Sequence, residues 1–182
     1  MQHVEQSTIR FILKSQYHSA IAMLIDAIEK YPEDHWYSAE HTNAAWQIAY
    51  HSLYFTEFYS RPTSEDFTPW LTHGVKTLND DGIPGPPDPT SELPLMPDPF
   101  SKNQVLTYAR YCDEMIDGAI DAMDIASNES GFYWYKVSKL EHQIINIRHT
   151  QHGAAQLADR LRKIGDIGVK WAGARHPKAE AA

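Results

Sequence analysis

The chain has 182 residues, 42% of them hydrophobic and 12% aromatic, enough for one sizeable core and too apolar for general disorder. A formal charge of −8 disfavours a surface that tracks nucleic-acid phosphates, and no apolar run approaches the ~20 residues of a membrane span. Met1-Gln-His-Val-Glu-Gln-Ser lacks the form of a signal peptide and Cys112 is the only cysteine, so a cytoplasmic protein without an intrachain disulfide is expected.

Four stretches carry helical periodicity. In the first, Ile9, Ile12, Leu13, Tyr17, Ala20, Leu24, Ile28 and Tyr31 recur at three- and four-residue steps, and Pro32 ends the run. The second spans about 42–60 and stops at Arg61-Pro62. There His51 shares a side with Ala44, Ile48, Phe55 and Phe58, while Trp46, Leu53, Thr56 and Glu57 fall opposite. An imidazole on an apolar side needs a partner, whether a tyrosine, a carbonyl or a metal ion.

Residues 61–100 hold nine of the eleven prolines, which forbids a continuous helix and favours extended segments. Trp70, Leu71, Leu93, Leu95, Met96 and Phe100 supply apolar anchors, so an ordered strap is expected rather than a floppy linker. The third helix starts at Ser101, which forms a Ser-x-x-Gln capping box with Gln104, and continues through Val105, Ala109, Cys112, Ile116, Ile120 and Met123 toward Asn128. The fourth starts near Ser138, with Glu141 completing a second box, and runs to Ile164 with Gly165 as its stop. Strand-like alternation is nearly absent, so four amphipathic helices predict an all-α helix bundle. Residues 1–165 read as one domain. Residues 166–182 read as a tail that Trp171 docks and that frays from Pro177.

Three histidines carry the functional signal: His51 in the second helix, and His149 and His152 in the fourth. Two imidazoles from one helix and a third from another can surround a divalent ion and leave an open position for water or substrate. The competing reading is that these are core or surface residues, since the chain has ten histidines. The apolar stripe of the fourth helix reads as Leu140, Ile144, Ile147, Ala154, Ala158 and Leu161. His149, His152 and Gln156 lie more than 100° from its centre, facing a second groove or solvent. His142, on nearly the same side, reads as a supporting or surface group. Tyr50, Tyr54 and Gln156 are candidate neighbours of the site.

Other signals point to structure. Asp113, Asp117, Asp121 and Asp124 read as a solvated face, Phe132-Tyr-Trp-Tyr135 as a staple at the start of the fourth helix, and Cys112 as packing. His-Glu-x-x-His, Glu-x-x-His pairs, Gly-rich phosphate loops and Gly-x-Ser-x-Gly are all missing. The exposed-looking aromatics Tyr37, Trp46, Tyr59, Tyr111 and Tyr133 suggest an interface.

Tyr17-His-Ser-Ala-Ile-Ala-Met-Leu, Pro32-Glu-Asp-His-Trp36, Trp46-Gln-Ile-Ala-Tyr-His51 and Asn146-Ile-Arg-His149-Thr-Gln-His152-Gly-Ala-Ala-Gln156-Leu together resemble the DinB-like superfamily of metal-dependent proteins, over most of the chain. The resemblance implies an up-down-down-up four-helix bundle with a long connection between its second and third helices, and a homodimer. It also implies a three-histidine site for zinc, nickel or a related divalent ion, with His51 and His149 matching two ligands. The remaining family ligand stands four residues after the first of the pair. Here that position is Gly153, and His152 is one residue earlier, ~100° around the helix. The implied activity is a metal-dependent hydrolase or thiol S-transferase of unnamed substrate. The alternative is a metal-free helical dimer or small-molecule-binding module with a vestigial site.

Overall fold

The computed structural model describes residues 5–65, 67 and 99–175, which form five helices and no strand. Helix α1 (Gln6–Lys30) ends where expected, with Tyr31 extended ahead of Pro32. The periodicity misses a single turn, α2 (Glu33–Trp36), too short to carry a repeat. It buries Trp36 completely, and the indole Nε1–H donates to Phe100 O at 2.9 Å. Helix α3 (Ala45–Tyr59) begins three residues later than the pattern suggests. Helix α4 (Lys102–Ala122) starts on its capping box, with Ser101 Oγ accepting from Gln104 N–H and Gln104 Oε1 accepting from Ser101 N–H. It stops short of Asn128, its last carbonyls held by Arg10, whose Nη1 donates to Ile120 O at 2.7 Å and Met123 O at 2.8 Å. Helix α5 (Lys139–Gly165) starts on Ser138, and it is Asp166, not Gly165, that takes the left-handed conformation ending it.

Helices α1 and α3 each pack on both α4 and α5. Side-chain pairs give the directions. Tyr17 meets Gln143 and Met23 meets Gln151, so α1 and α5 run together. Tyr50 meets Tyr108 and Ser60 meets Met115, so α3 and α4 run together. Thr56 meets Thr150 while Ser52 lies against Gly153, so α3 opposes α5. One core fills the middle, around Leu24, Trp36, Leu53, Phe58, Tyr108 and Leu157. A smaller one, Leu13, Tyr17, Ile116, Ile120, Met123 and Ile125, closes the end near the start of α1.

Most of the strap, including Trp70, Leu71, Leu93, Leu95 and Met96, lies outside the described residues. Its two ends are within them. Phe67 contacts Phe58 with ring centroids 4.8 Å apart, and Phe100 stacks on Tyr50, also at 4.8 Å. The tail runs back along α1. Lys170 N–H donates to Asp26 Oδ2 at 2.8 Å, Lys30 Nζ to Gly168 O at 2.9 Å, and Gln16 Nε2 to Gly173 O at 3.2 Å. Trp171 does not dock it, being 74% exposed; these polar contacts hold it together with Ile167, Val169 and Ala172, which pack against the core. Pro177 onward lies outside the described residues. The aromatic surface also shrinks: Trp46 and Tyr59 are buried and Tyr111 is half-buried, leaving Tyr37 and Tyr133 exposed. No helix among the described residues is long and apolar enough to cross a membrane.

Candidate functional site

The buried face of α5 is polar over its first half. Lys139, His142, Gln143, Asn146 and Thr150 are buried, whereas Ile144, expected in the apolar stripe, is 48% exposed. The reason lies across the interface, where α3 and Tyr17 offer matching groups. Thr150 and Thr56 hydroxyls meet at 2.7 Å. Asn146 Nδ2 donates to Tyr17 Oη at 2.9 Å and to Thr56 O at 3.2 Å. Tyr17 Oη–H donates to Gln143 Oε1 at 2.6 Å, and Gln143 Nε2 to Tyr59 O at 3.0 Å. Lys139 Nζ reaches the carbonyls of Pro62 and Ser130. The polar seam thus has a rung at nearly every turn and most of its groups are paired, whereas His142 and Asn146 Oδ1 are buried without a hydrogen-bond partner among the described residues. Its sequence signal is the three- and four-residue spacing of 139, 142, 143, 146, 150 and 153, a row that apolar scoring passes over.

At the seam's edge, His51 and His149 meet with Nε2 atoms 3.1 Å apart and ring centroids 5.0 Å apart. Phe55 stands against both rings, at 4.8 and 5.4 Å. Burial pushes His51 down to about 3 and His149 down to about 4, with His149 and His152 adding to the effect on the former and His152 on the latter. Both imidazoles are therefore neutral at pH 7. His149 Nδ1 is buried without a partner among the described residues. A bare nitrogen is cheaper to strand than an N–H, so the proton is assigned to His149 Nε2, donating to His51 Nε2.

The third expected member is apart. His152 is exposed, and among the described residues no group of three His, Cys, Asp or Glu side chains is placed to hold an ion. Nor is there room for a side chain at the family's other ligand position: a Cβ on Gly153 would overlap Ser52 Oγ and lie 2.9 Å from Ser52 Cβ. Gln156 is exposed, while Tyr50 and Tyr54 turn into the aromatic core with Phe100, Tyr108, Phe58 and Phe67. Two nitrogens bound to one tetrahedral ion at ~2.0–2.1 Å stand about 3.3 Å apart, so the His51–His149 spacing suits two donors of a site. The side-chain arrangement does not supply a third.

Residues read as bland prove more constrained than the sequence suggests. Glu57, expected on the polar side of its helix, is 1% exposed and accepts from Tyr108 Oη at 2.6 Å and Arg61 Nη2 at 2.8 Å. His142, read as either a supporting or a surface group, is fully buried, with the rings of Tyr59, Phe132 and Tyr135 each 4.8 Å away. Phe132 and Tyr135 thus pack at the start of α5 as a staple would. Cys112 is packing as expected: it is fully buried and its thiol pKa is pushed well up by burial and by Glu57. No family model matches the chain, and neither a curated protein nor a solved structure matches it.

Proposed function

We propose that the chain is a DinB-like four-helix bundle that takes up a divalent ion, zinc or nickel, at His51 and His149, with His152 as the third donor. The observation that carries this reading is the pair itself. Two neutral imidazoles from opposed helices face each other at 3.1 Å, close to the spacing of two ligands on one ion. His152, one turn on from His149 and exposed, reaches the ion by changing rotamer. When bound, such an ion acidifies a water or a thiol, the chemistry of a hydrolase or thiol transferase. The chain's own part is to keep both imidazoles neutral by burial and to limit water on one side with Phe55. The pairing of α1 with α5 and of α3 with α4 supports the bundle, and the resemblance extends the reading to a homodimer.

A second reading keeps the bundle and drops the ion: a metal-free module in which the two imidazoles simply hydrogen-bond. The filled space at Gly153 and the missing third donor favour it. Titrating metal-free protein with zinc and nickel by calorimetry separates the two. The metal reading expects one ion per chain, lost in both His51→Ala and His149→Ala and weakened in His152→Ala. Heat too small to fit in the wild-type protein leaves the metal-free module.

A further inference from the structure

We infer that the contact of Gly153 with Ser52 is the device that sets the His51–His149 separation, so that any side chain at 153, a metal-binding imidazole included, opens the pair. Ser52 follows His51 on α3, and Gly153 lies one turn beyond His149 on α5. The crossing therefore acts almost directly on the two rings. A Cβ at 153 meets two atoms of Ser52, and they differ in what they can do. The hydroxyl, which donates to Ile48 O at 2.8 Å, can rotate away. The Cβ of Ser52 cannot, being fixed to the α3 backbone, and at 2.9 Å it lies well inside the ~3.5–4.0 Å at which carbon atoms rest. Relieving the overlap requires the helices to part by roughly 1 Å. The same displacement takes an N···N distance of 3.1 Å past the ~3.5 Å limit of a hydrogen bond.

Neighbouring rungs keep the displacement local to the pair's end of the seam. Thr56–Thr150 and Asn146–Thr56 tie the helices one and two turns away, so α5 pivots on them instead of separating as a body. Closeness of the backbones thus takes the place of a third side chain. Whether that closeness serves ion uptake rests on the reading proposed above; the geometry of the pair does not.

The test uses the full, metal-free chain labelled with nitrogen-15. Wild type is expected to show an exchange-protected Nε2 proton on His149 with through-space contacts to His51. Gly153→Ala is expected to lose it, and the double variant Ser52→Gly/Gly153→Ala to regain it, with Ser52→Gly alone as the control that keeps it. Wild-type protein lacking that proton, or Gly153→Ala retaining it, overturns the inference. Should Gly153→Ala fail to fold by circular dichroism, the double variant decides: the proton present supports the inference and the proton absent overturns it. A zinc titration separates this from the metal reading. If wild type takes no zinc, the metal reading fails while the proton signal still decides the crossing. If wild type takes zinc, Gly153→His is expected to bind about tenfold or more weakly, as for other losses of ligand support, and equal or tighter binding overturns the inference.

Discussion

His18 sits between two carboxylates of α4, with Nδ1 2.7 Å from Asp113 and Nε2 3.0 Å from Asp117, while Lys14 and Asp121 pair one turn along. The hydrogen bond that His18 Nδ1–H donates to Asp113 leads the effects that raise its pKa above 6.5. Between 6.5 and that raised value the folded chain holds a proton the unfolded chain has released. The contribution is fully present below 6.5 and lost as pH rises through the folded value. His142 behaves oppositely. Burial, with Lys139 adding, lowers it to about 4, so its contribution is present above 6.5 and lost as pH falls through 4. Urea unfolding at pH 5, 7 and 9 checks both. His18→Asn should cost about 1 kcal/mol at pH 5–6 and less at pH 9, a modest value because the partners are partly solvated. His142→Leu should flatten the acid limb, where a single such group contributes at most about 1.4 kcal/mol per pH unit. Its two nitrogens lack partners among the described residues, so the same substitution should cost little at pH 7.5. Neither role was legible in the sequence. Asp113 and Asp117 read as a solvated face because their partner is 95 and 99 residues away along the chain.

At the scale of helices, the starts at Ser101 and Ser138 and the stop before Pro32 were legible, the other ends only approximately and buried faces only in part. Ser101, Ser138 and Pro32 act within a few residues of themselves, so their effect shows in the sequence. Which side of α5 is buried depends instead on what α3 and α1 offer it. Gln143 is fully buried because Tyr17 and Tyr59 satisfy its amide, and Ile144 beside it is left half-exposed. The Thr56–Thr150 rung gives this dependence a measurable form. Thr56→Val and Thr150→Val should each cost about 1 kcal/mol in urea unfolding, and the double variant about 0.5–1 kcal/mol less than their sum. Strict additivity would mean that the two hydroxyls do not share a bond. His51 and His149 were legible because both are histidines in matched helices. Their approach was expected as well and is seen at 3.1 Å; the close packing of Gly153 on Ser52 beside them was not legible.

For the whole molecule, four helices and a long link after the second could be read from periodicity and proline density, and the parallel run of α3 and α4 explains why such a link is needed. Docking of residues 166–175 along α1 could not, because Ile167, Val169 and Ala172 show no helical repeat and their backbone groups are met by side chains more than a hundred residues away. The proposed homodimer has lost Trp46 and Tyr59 from its supposed surface and keeps Tyr37 and Tyr133, at 48% and 60% exposure, to which Ile12 adds an exposed apolar group at 52%. Light scattering at micromolar concentration should give twice the 20.8 kDa of one chain. The mass of a single chain would leave those three residues as ordinary surface.

The rungs between α3 and α5 also fix how the two helices can move. No two kinds of rung are alike: a hydroxyl meets a hydroxyl, an amide a carbonyl, a glycine a serine. Sliding α5 by one turn, about 5.4 Å, would bring Asn146 level with neither of its acceptors and drive Thr150 or Leu157 against Ser52. The amide donors Asn146 Nδ2 and Gln143 Nε2 would lose the α3 carbonyls they reach, while the Thr56 and Thr150 hydroxyls would keep only carbonyls of their own helices. Register is therefore locked, and the two imidazoles part only by turning about their own side-chain bonds. Anything that reaches them waits on rotamer changes rather than on helix displacement, a faster class of motion by orders of magnitude.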